Sequence, residues 1–543
     1  VKSKSLPGFG TVDYHERTKH RFNQYAAGPA TLDWDEQPES FRWFSGTNQI
    51  LLPLAGDRLN APYARLFQPG FIPARQVTKS SLAALFELAL GLSAWKEYGD
   101  SRWALRCNPS SGNLHPTEGY ALVPRIDDVE AGVYHYLSRD HLLEQRCLLD
   151  HNMVIDSLPQ QSFLVGLSSI HWREAWKYGE RAYRYCQLDV GHAIAAVRYA
   201  AATLGWKATV LPHPGDNVIS DLLGLNQSHT FVNAEPEHPD VLLVVSARSV
   251  NSASIGLEKL QQAARTSNWS GVANRLTPKH RETWPVVEDA ARACTKPQTS
   301  VAVPEPYNWP EPVATPCSED AATIIRQRRS AQAFDGVTRL PAKTFYRMLD
   351  MTLPRANVPP WDALLPGNHL HLVLFVHRVD GLDPGLYAFS RRPGGEALLK
   401  KHMPRPEFSW EKVDTCPQHL PLYCLVRANG QKLAATLSCH QGIAAQSCFS
   451  LGMLAEFQSS LIEAPWNYRH LFWEAGVLGQ VLYLEAEAAG VRGTGIGCYF
   501  DDEVHKLLGI ESAALQSMYH FTVGAPLVDT RLVTLPPYTL AGR

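Results

Sequence analysis

Four short stretches of the chain carry residue types from which a reactive site could be built. "NPSSGN" (108–113) sets Pro109, Ser110, Ser111, Gly112 and Asn113 side by side before an apolar run. Small polar residues around a glycine leave backbone that a planar or anionic ligand can approach closely. "RQRRSAQ" (326–332) brings Arg328, Arg329 and Ser330 together just past a short amphipathic helix. Two guanidiniums and a hydroxyl suit a phosphate and the polar edge of a heterocycle; the same triplet also reads as a solvated basic turn. "GTGIG" (493–497), with Gly495, Ile496 and Gly497, reads as a ligand loop or as a tight turn between two helices. "EAWKYGERAYRY" (174–185) offers Lys177 and Tyr178, whose pKa values an apolar pocket could shift toward proton transfer. The structural alternative is a basic, aromatic helix start in which Lys177 pairs with Glu174 or Glu180. His115 and His192 are weaker candidates: a histidine on a buried helix, as at 192, is usually a hydrogen-bonded core residue, and His115 also reads as the end of the loop turn.

The elements that must position these groups recur along the chain. "CQLDVGHAIAAVRYAAATLG" and "FWEAGVLGQVLYLEAEAAG" predict long helices, apolar almost all round and therefore central. "SLAALFELALGL" (81–92), "KTFYRMLDMTL" (343–353) and "LEKLQQAARTSNWSGVANRL" (257–276) predict further helices. "YALV", "VLLVVSA", "HLVLFVH", "LYCLVRA" and "HFTVGAP" predict strands. At one constant offset, Tyr183-Arg184 lies over Tyr468-Arg469, Asp189 over Glu474, and Gly191 over Gly476. The same offset superposes Gly205, Thr209, Asp216, Leu222, Leu223 and Gly224 on Gly490, Thr494, Asp501, Leu507, Leu508 and Gly509. A proline-rich stretch at 295–317 marks an extended linker. The division predicted is a first half at 1–250 with an N-terminal lead-in, a helical then proline-rich connector at 251–317, and a second half at 318–543.

Composition bounds the function. With 543 residues and 45% hydrophobic side chains, there is material for two large cores, and 14 Trp, 20 Tyr and 19 Phe point to aromatic-lined interiors. Lys+Arg 51 against Asp+Glu 53 lacks the basic footprint of a nucleic-acid binder. The ten cysteines show no CxxC pair and no metal-type Cys/His spacing, which predicts reduced thiols and no metal site. Apolar runs are too short to span a bilayer, and the first twenty residues have no signal-type apolar core, so the expected location is cytoplasmic.

"RRSAQAF", a buried helix, and then "GTGIGCYFDDEVHKLLGI" resemble the FMN-dependent nitroreductase superfamily. "NPSSGNLHPTEGYALV" and "WREAWKYGERAYRYCQLDVGHAIAAVRYAAATLG" are similar to its azoline dehydrogenase branch, as are "YHERTKH" and "LDWDEQPESFRWF" near the start. The resemblance implies an α+β fold of two nitroreductase-like halves, each a mixed sheet covered by helices, fused as an intramolecular pseudo-dimer. In that superfamily two subunits share each FMN. One gives the Arg-Arg-Ser segment and the late Gly-rich loop, and the partner gives the Pro-Ser-Ser-Gly loop. Here Arg65-Leu66-Phe67 stands opposite Arg328-Arg329-Ser330, Val210 and Pro212 stand opposite Gly495 and Gly497, and "NVPPWDALLPGN" replaces the Pro-Ser-Ser-Gly loop.

These complementary losses imply one FMN per chain. Pro109, Ser110, Ser111 and Asn113 would line one side of the flavin. Arg328, Arg329 and Ser330 would hold the phosphate and the pyrimidine edge, and Gly495 to Gly497 would close over the cofactor. Gln332 departs from the Lys or Arg common in the family; a neutral amide can hydrogen-bond there but stabilises an anionic reduced flavin less. The Lys-Tyr pair of the azoline branch matches Lys177-Tyr178, which implies proton removal from carbon beside the isoalloxazine. The expected activity is dehydrogenation of an azoline or similar C–N bond on a small molecule, a peptide or a carrier-bound intermediate. The usual dimer interface would be filled internally, which suits a monomer in solution. The alternatives are an NAD(P)H-dependent reductase of nitroaromatics or quinones, and a flavin-free partner protein of a modifying complex.

Overall fold

The computed structural model describes residues 10–300, 305–364 and 368–538. Residues 1–9 of the lead-in, 301–304 of the proline-rich connector and 365–367 of "NVPPWDALLPGN" lie outside the described residues.

Two seven-stranded sheets form the frame. The first runs, edge to edge, Gln49–Leu51, Leu142–Leu148, Gly132–Leu137, Thr117–Val123, Ser162–Ser169, His238–Ser246 and Lys207–Val210. The second runs Glu411–Lys412, Leu422–Arg427, Gly385–Phe389, Leu370–Val376, Phe449–Glu456, Leu515–Gly524 and Arg492–Ile496. From the second position onward the two sheets have the same connectivity, so the repeat is structural. The α+β class stands, and every pairing within the two sheets is antiparallel. The expected mixed sheet is therefore corrected: each half has a purely antiparallel sheet, because every hydrogen-bonded neighbour runs in the opposite direction.

Two helices, Ala182–Thr203 and Asn467–Ala488, run between the sheets, the first buried along its whole length. Their sequences are apolar nearly all round because each packs on its own half and on the other helix. They meet at the two glycines that the repeat superposes. A Cβ on Gly191 would lie 2.2 Å from the Trp473 carbonyl oxygen, and one on Gly476 would lie 2.8 Å from the Gly191 Cα. Such self-matched contact is what an internal two-fold relation produces.

The other repeated residues explain themselves at this interface. Arg184 reaches Asp501 of the second half at 2.8 Å, and its counterpart Arg469 reaches Asp216 of the first half at 2.6 Å. Each half thus offers an arginine from its central helix to an aspartate of the other. The Tyr14 ring stands edge-on to both Tyr183 and Tyr468, with centroids 5.9 and 6.1 Å apart. Gly224 and Gly509 end corresponding helices at φ 69° and 72°, the left-handed conformation that a glycine adopts without strain.

The chain ends cross between halves. The helix Thr11–Arg17 leads into His20, whose backbone N–H donates to Asp501 of the second half. Near the C-terminus, Val533–Leu535 adds a third strand to the first-half hairpin Leu92–Tyr98/Ser101–Arg106.

Three local expectations need adjustment. The helix predicted at 81–92 is Lys79–Ala89, and Leu92 already starts the hairpin. The helix predicted at 257–276 ends at Thr266. Beyond it, Trp269 folds back to donate its indole N–H to the Ala264 carbonyl, and Val272–Ala273 pairs with Phe44–Ser45. The glycine stretch at 492–496 is an edge strand rather than an irregular turn. No described helix is long and apolar enough to cross a membrane.

The helix crossing generates a prediction with two opposed terms. Gly191→Ala gains up to ~1 kcal/mol of helix propensity, but its Cβ overlaps a backbone carbonyl that cannot rotate away. Forced repacking costs roughly 1–3 kcal/mol, so the variant should melt below wild type by calorimetry. An unchanged or raised melting temperature would show that the helices are not in backbone contact.

Candidate functional site

A cavity of about 450 Å³ opens between the halves. Its first wall is the segment after the hairpin strand Ser101–Arg106. Gly112, Asn113 and His115 all adopt positive φ, of 60°, 60° and 51°. The turn is held by its own polar groups: Ser110 Oγ accepts from the His115 N–H at 2.8 Å, and Asn113 Nδ2 donates to the Ala104 carbonyl at 2.9 Å. Ser111 donates both its backbone N–H and its hydroxyl to Asp189 Oδ1, at 3.2 and 3.3 Å.

The opposite wall comes from the second half. Arg328 caps the helix Ala321–Gln327 and is buried, donating to the first-half carbonyls of Cys107 and Arg106 at 3.2 and 3.1 Å. It therefore joins the halves as well as facing the cavity. Arg329 donates to the carbonyls of Arg326, Arg328 and Ser93. The Ser330 hydroxyl and the Tyr483 hydroxyl are 2.8 Å apart, and the latter accepts the Gly495 N–H at 3.0 Å. Thr494 Oγ1 donates to the Ala331 carbonyl, pinning the arginine segment along the glycine strand. Side chains are excluded at both outer glycines. A Cβ on Gly495 would meet Tyr519 Oη at 1.8 Å, and one on Gly497 would meet the Tyr185 ring at 2.0 Å.

All eleven residues read from the sequence as flavin-binding (Pro109, Ser110, Ser111, Asn113, Arg328, Arg329, Ser330, Gln332, Gly495, Ile496 and Gly497) border this one cavity. Gln332 is exposed at its edge. The two residues read as catalytic end at the same place: Tyr178 lines the cavity, Lys177 is outside its lining, and a Cβ on Gly112 would lie 2.6 Å from Tyr178 Oη and 3.1 Å from Lys177 Nζ. Burial, followed by the Glu174 carboxyl, pushes the Tyr178 phenol well above its usual range. At neutral pH Tyr178 is a proton donor, not a base. Glu180, one of the partners considered for Lys177, pairs with Arg17 instead. His192 is held between Gln480 and Tyr519 at 3.3 Å each, and burial lowers its pKa to about 3, so it stays neutral. Burial also lowers His115 well below the ordinary histidine range.

Sequence reasoning missed Lys96, Tyr185, Tyr483, Arg492 and Tyr519, which also line the cavity. It noted Asp189 only as a repeat match to Glu474. Burial raises the Asp189 carboxyl to about 7, against its hydrogen bonds from Ser110 and Ser111. Glu174, with neither oxygen hydrogen-bonded, is pushed up by burial and then by Asp189.

The electrostatics suit an anionic cofactor. Burial lowers the Lys96 pKa, and Arg329 and Arg492 lower it further. Arg329 falls to about 10 through burial and Arg328. An anion among these cations relieves their mutual repulsion, although Glu487, 3.8 Å from Arg492, offsets part of the charge. With the tight glycine wall and the small polar turn, these residues fit the phosphate and the flat ring of FMN.

The pseudo-symmetric position holds a second cavity, of about 600 Å³, lined by Val210, Pro212, Trp361, Trp466 and Trp473. Lys296, Pro306 and Tyr307 of the connector also line it. Arg65, the counterpart of Arg328, lies exposed at the surface with its guanidinium 4.7 Å from the Phe71 ring centroid, and Phe67 is buried. Elsewhere, His171, His238 and Glu288 offer ligand atoms within 4.8 Å of one another. The two imidazoles stack with planes 9° apart, so their in-plane lone pairs do not converge on one metal ion.

Residues 70–234 match the nitroreductase family. A candidate nitroreductase of Methanocaldococcus jannaschii is 29% identical over 157 residues, covering 27% of this chain and 78% of that protein. The trifolitoxin-processing protein TfxB of Rhizobium leguminosarum bv. trifolii is 32% identical over 132 residues, covering 22% of this chain and 35% of its own length. In three dimensions, the crystal structure of a candidate nitroreductase from Anabaena variabilis covers 95% of this chain and 99% of its own, with TM-score 0.67 at 20% identity. That likeness extends over both halves and concerns the fold.

Asp189 gives the site a pH signature. Its carboxyl rises from an ordinary value of 3.8 to about 7 on folding, so the native state binds this proton more tightly than the unfolded chain. The resulting stability is complete below about pH 4 and lost as pH rises to about 7, worth at most ~4 kcal/mol. Asp189→Asn removes the titration. The melting temperature of the variant relative to wild type should climb between those pH values and level off above them; a flat difference would place the Asp189 proton elsewhere.

Proposed function

We propose that this chain, whose residues 70–234 match the nitroreductase family, belongs to that family and is an FMN-dependent dehydrogenase. Its reaction is oxidation of an azoline or similar C–N bond in a peptide or carrier-bound intermediate. Nitroreductase-family proteins are oxidoreductases that generally bind FMN. The observation that carries the reading is the asymmetry of the two cavities. One brings the Pro-Ser-Ser-Gly turn of the first half against the arginines and glycines of the second, while its counterpart has tryptophans, prolines and connector residues. We therefore assign one FMN per chain, held by a first half at 1–250 and a second half at 318–543 joined through 251–317. The similarity to a protein named for processing trifolitoxin supports a peptide-derived substrate.

Bound FMN supplies a hydride acceptor at N5. The chain's residues do the rest. Arg328, Arg329 and Lys96 would hold the phosphate, and Ser330 would present its hydroxyl to the ring edge. The Gly495–Gly497 backbone, with Tyr519 and Tyr185 packed where side chains would stand, would form one wall for the ring, and the turn at 109–113 the other. Lys177, next to Gly112, takes the proton leaving the substrate carbon. Tyr178, kept protonated, donates a hydrogen bond to the substrate heteroatom. Tyr185, 4.4 Å from the Tyr178 ring centroid to centroid, fixes the orientation of that phenol.

The purified protein should be yellow with about one FMN per chain by absorbance and mass spectrometry. Arg328→Ala or Arg329→Ala should lose the flavin. Lys177→Ala should keep it and slow azoline oxidation by roughly 10²–10⁴-fold. A protein that stays colourless after FMN addition would instead be a non-enzymatic partner of a modifying complex. Steady NADPH consumption with a nitroaromatic, unchanged in Lys177→Ala, would make it a reductase.

A further inference from the structure

Two cysteines meet at the rim of the FMN-sized cavity. Cys498 directly follows Gly497 and lines the cavity; Cys439 lies on the turn after the helix Gln431–Leu437. The two segments are tied on either side of the sulfurs. The Phe500 N–H donates to the Leu437 carbonyl at 2.9 Å, and Gln441 Nε2 donates to the Cys498 carbonyl at 3.1 Å. Seven of the ten cysteines are buried, whereas Cys439 and Cys498 are both partly exposed. The third partly exposed one, Cys317, sits in the connector with no other thiol acting on it. Cys439 and His440 both hold positive φ, 52° and 61°, a conformation that costs energy in residues other than glycine. That turn and the two hydrogen bonds beside it hold the Cys439 and Cys498 segments against one another.

The surroundings favour a thiolate on one sulfur. The hydrogen bond from Cys439 lowers the Cys498 pKa, and His20 and Arg181 lower it further, against burial. The Cys439 thiol is correspondingly pushed up. His20 accepts the Ala26 N–H at Nδ1, and the Tyr25 ring lies tilted against His20 and edge-on to Phe500. Asp501 faces the same cluster, but its charge is taken up by Arg181 and Arg184 at 3.1 and 2.8 Å.

We propose that Cys439 and Cys498 form a redox-active dithiol that reacts with small disulfides of the glutathione type. The Cys498 thiolate attacks one sulfur of the disulfide, forming a mixed disulfide and releasing one thiolate. Cys439 then attacks the Cys498 sulfur, forming an intrachain disulfide and releasing the second thiol. The protein gives up two electrons and the one proton of Cys439, and the small disulfide leaves as one thiolate and one thiol. The bond formed would tie the end of the glycine strand to the turn at 439–441 and fix that wall of the cavity. This inference does not depend on the reaction assigned above, because it concerns side chains that the assigned reaction does not use.

The test is exposure of the full-length protein to oxidised glutathione at about pH 6, where an ordinary thiol exchanges slowly, followed by alkylation and peptide mass spectrometry. Wild type should lose two titratable thiols and yield a cross-linked peptide pair containing Cys439 and Cys498. Cys439→Ser should stop at a glutathione adduct on Cys498, and Cys498→Ser should react at least tenfold more slowly at Cys439. Separate adducts on the two cysteines of wild type without a cross-link would overturn the proposal. So would equal reactivity of all partly exposed thiols. The wild-type mapping decides the question even if a variant does not fold.

Discussion

At Gly191 and Gly476 the two central helices touch backbone to backbone, and that contact determines where everything else in the molecule can lie. With no side chain between them, the helices cannot slide without breaking the contact, so each sheet is held at a set distance from the other half. A cavity between halves is then a rigid feature rather than a cleft that opens and closes freely. Its walls can therefore come from residues more than two hundred positions apart and still face one another across a defined space.

Charge reinforces the same arrangement. Arg184 with Asp501 and Arg469 with Asp216 are reciprocal ion pairs across the interface, each buried. Buried ion pairs contribute little net stability, because desolvation offsets their attraction, but a misdocked interface would leave four charges buried and unpaired. They therefore select the docking more than they strengthen it. Arg328 extends this logic into the site. It reaches two carbonyls of the other half, so the residue expected to face an anion also joins the halves that form the cavity.

The frame is symmetric, but the sites are not. Loss of symmetry costs the fold almost nothing, since the segments that differ (65–67 against 328–330, 210–212 against 495–497) lie at cavity walls and not at the helix crossing. In the second cavity Phe67 has gone into the core and the connector supplies part of the lining. The larger, tryptophan-rich space that results has a different chemical character from its counterpart.

The sequence by itself determined the elements whose signal is local or repeated. These are the two apolar helices, the interior strands, the positive-φ glycines that end matched helices, and the short motifs whose residue types suit a flavin. Their matches under one offset also marked Arg184, Asp216 and Gly191 before any contact was known. Only the tertiary structure decided the rest. The hairpin at 92–106 was hidden behind an apolar helix pattern, because Leu92 belongs to both readings until Tyr538 and Val533–Leu535 pair with it from the far end of the chain. The tyrosines at 185, 483 and 519 look like ordinary core residues in sequence; in the fold Gly495 leaves room for the Tyr519 hydroxyl, Gly497 for the Tyr185 ring, and the Tyr483 hydroxyl accepts the Gly495 N–H. Lys177 and Tyr178 leave the helix about 100° apart, yet their ends both reach Gly112, a convergence that depends on how the helix packs against the turn at 109–113.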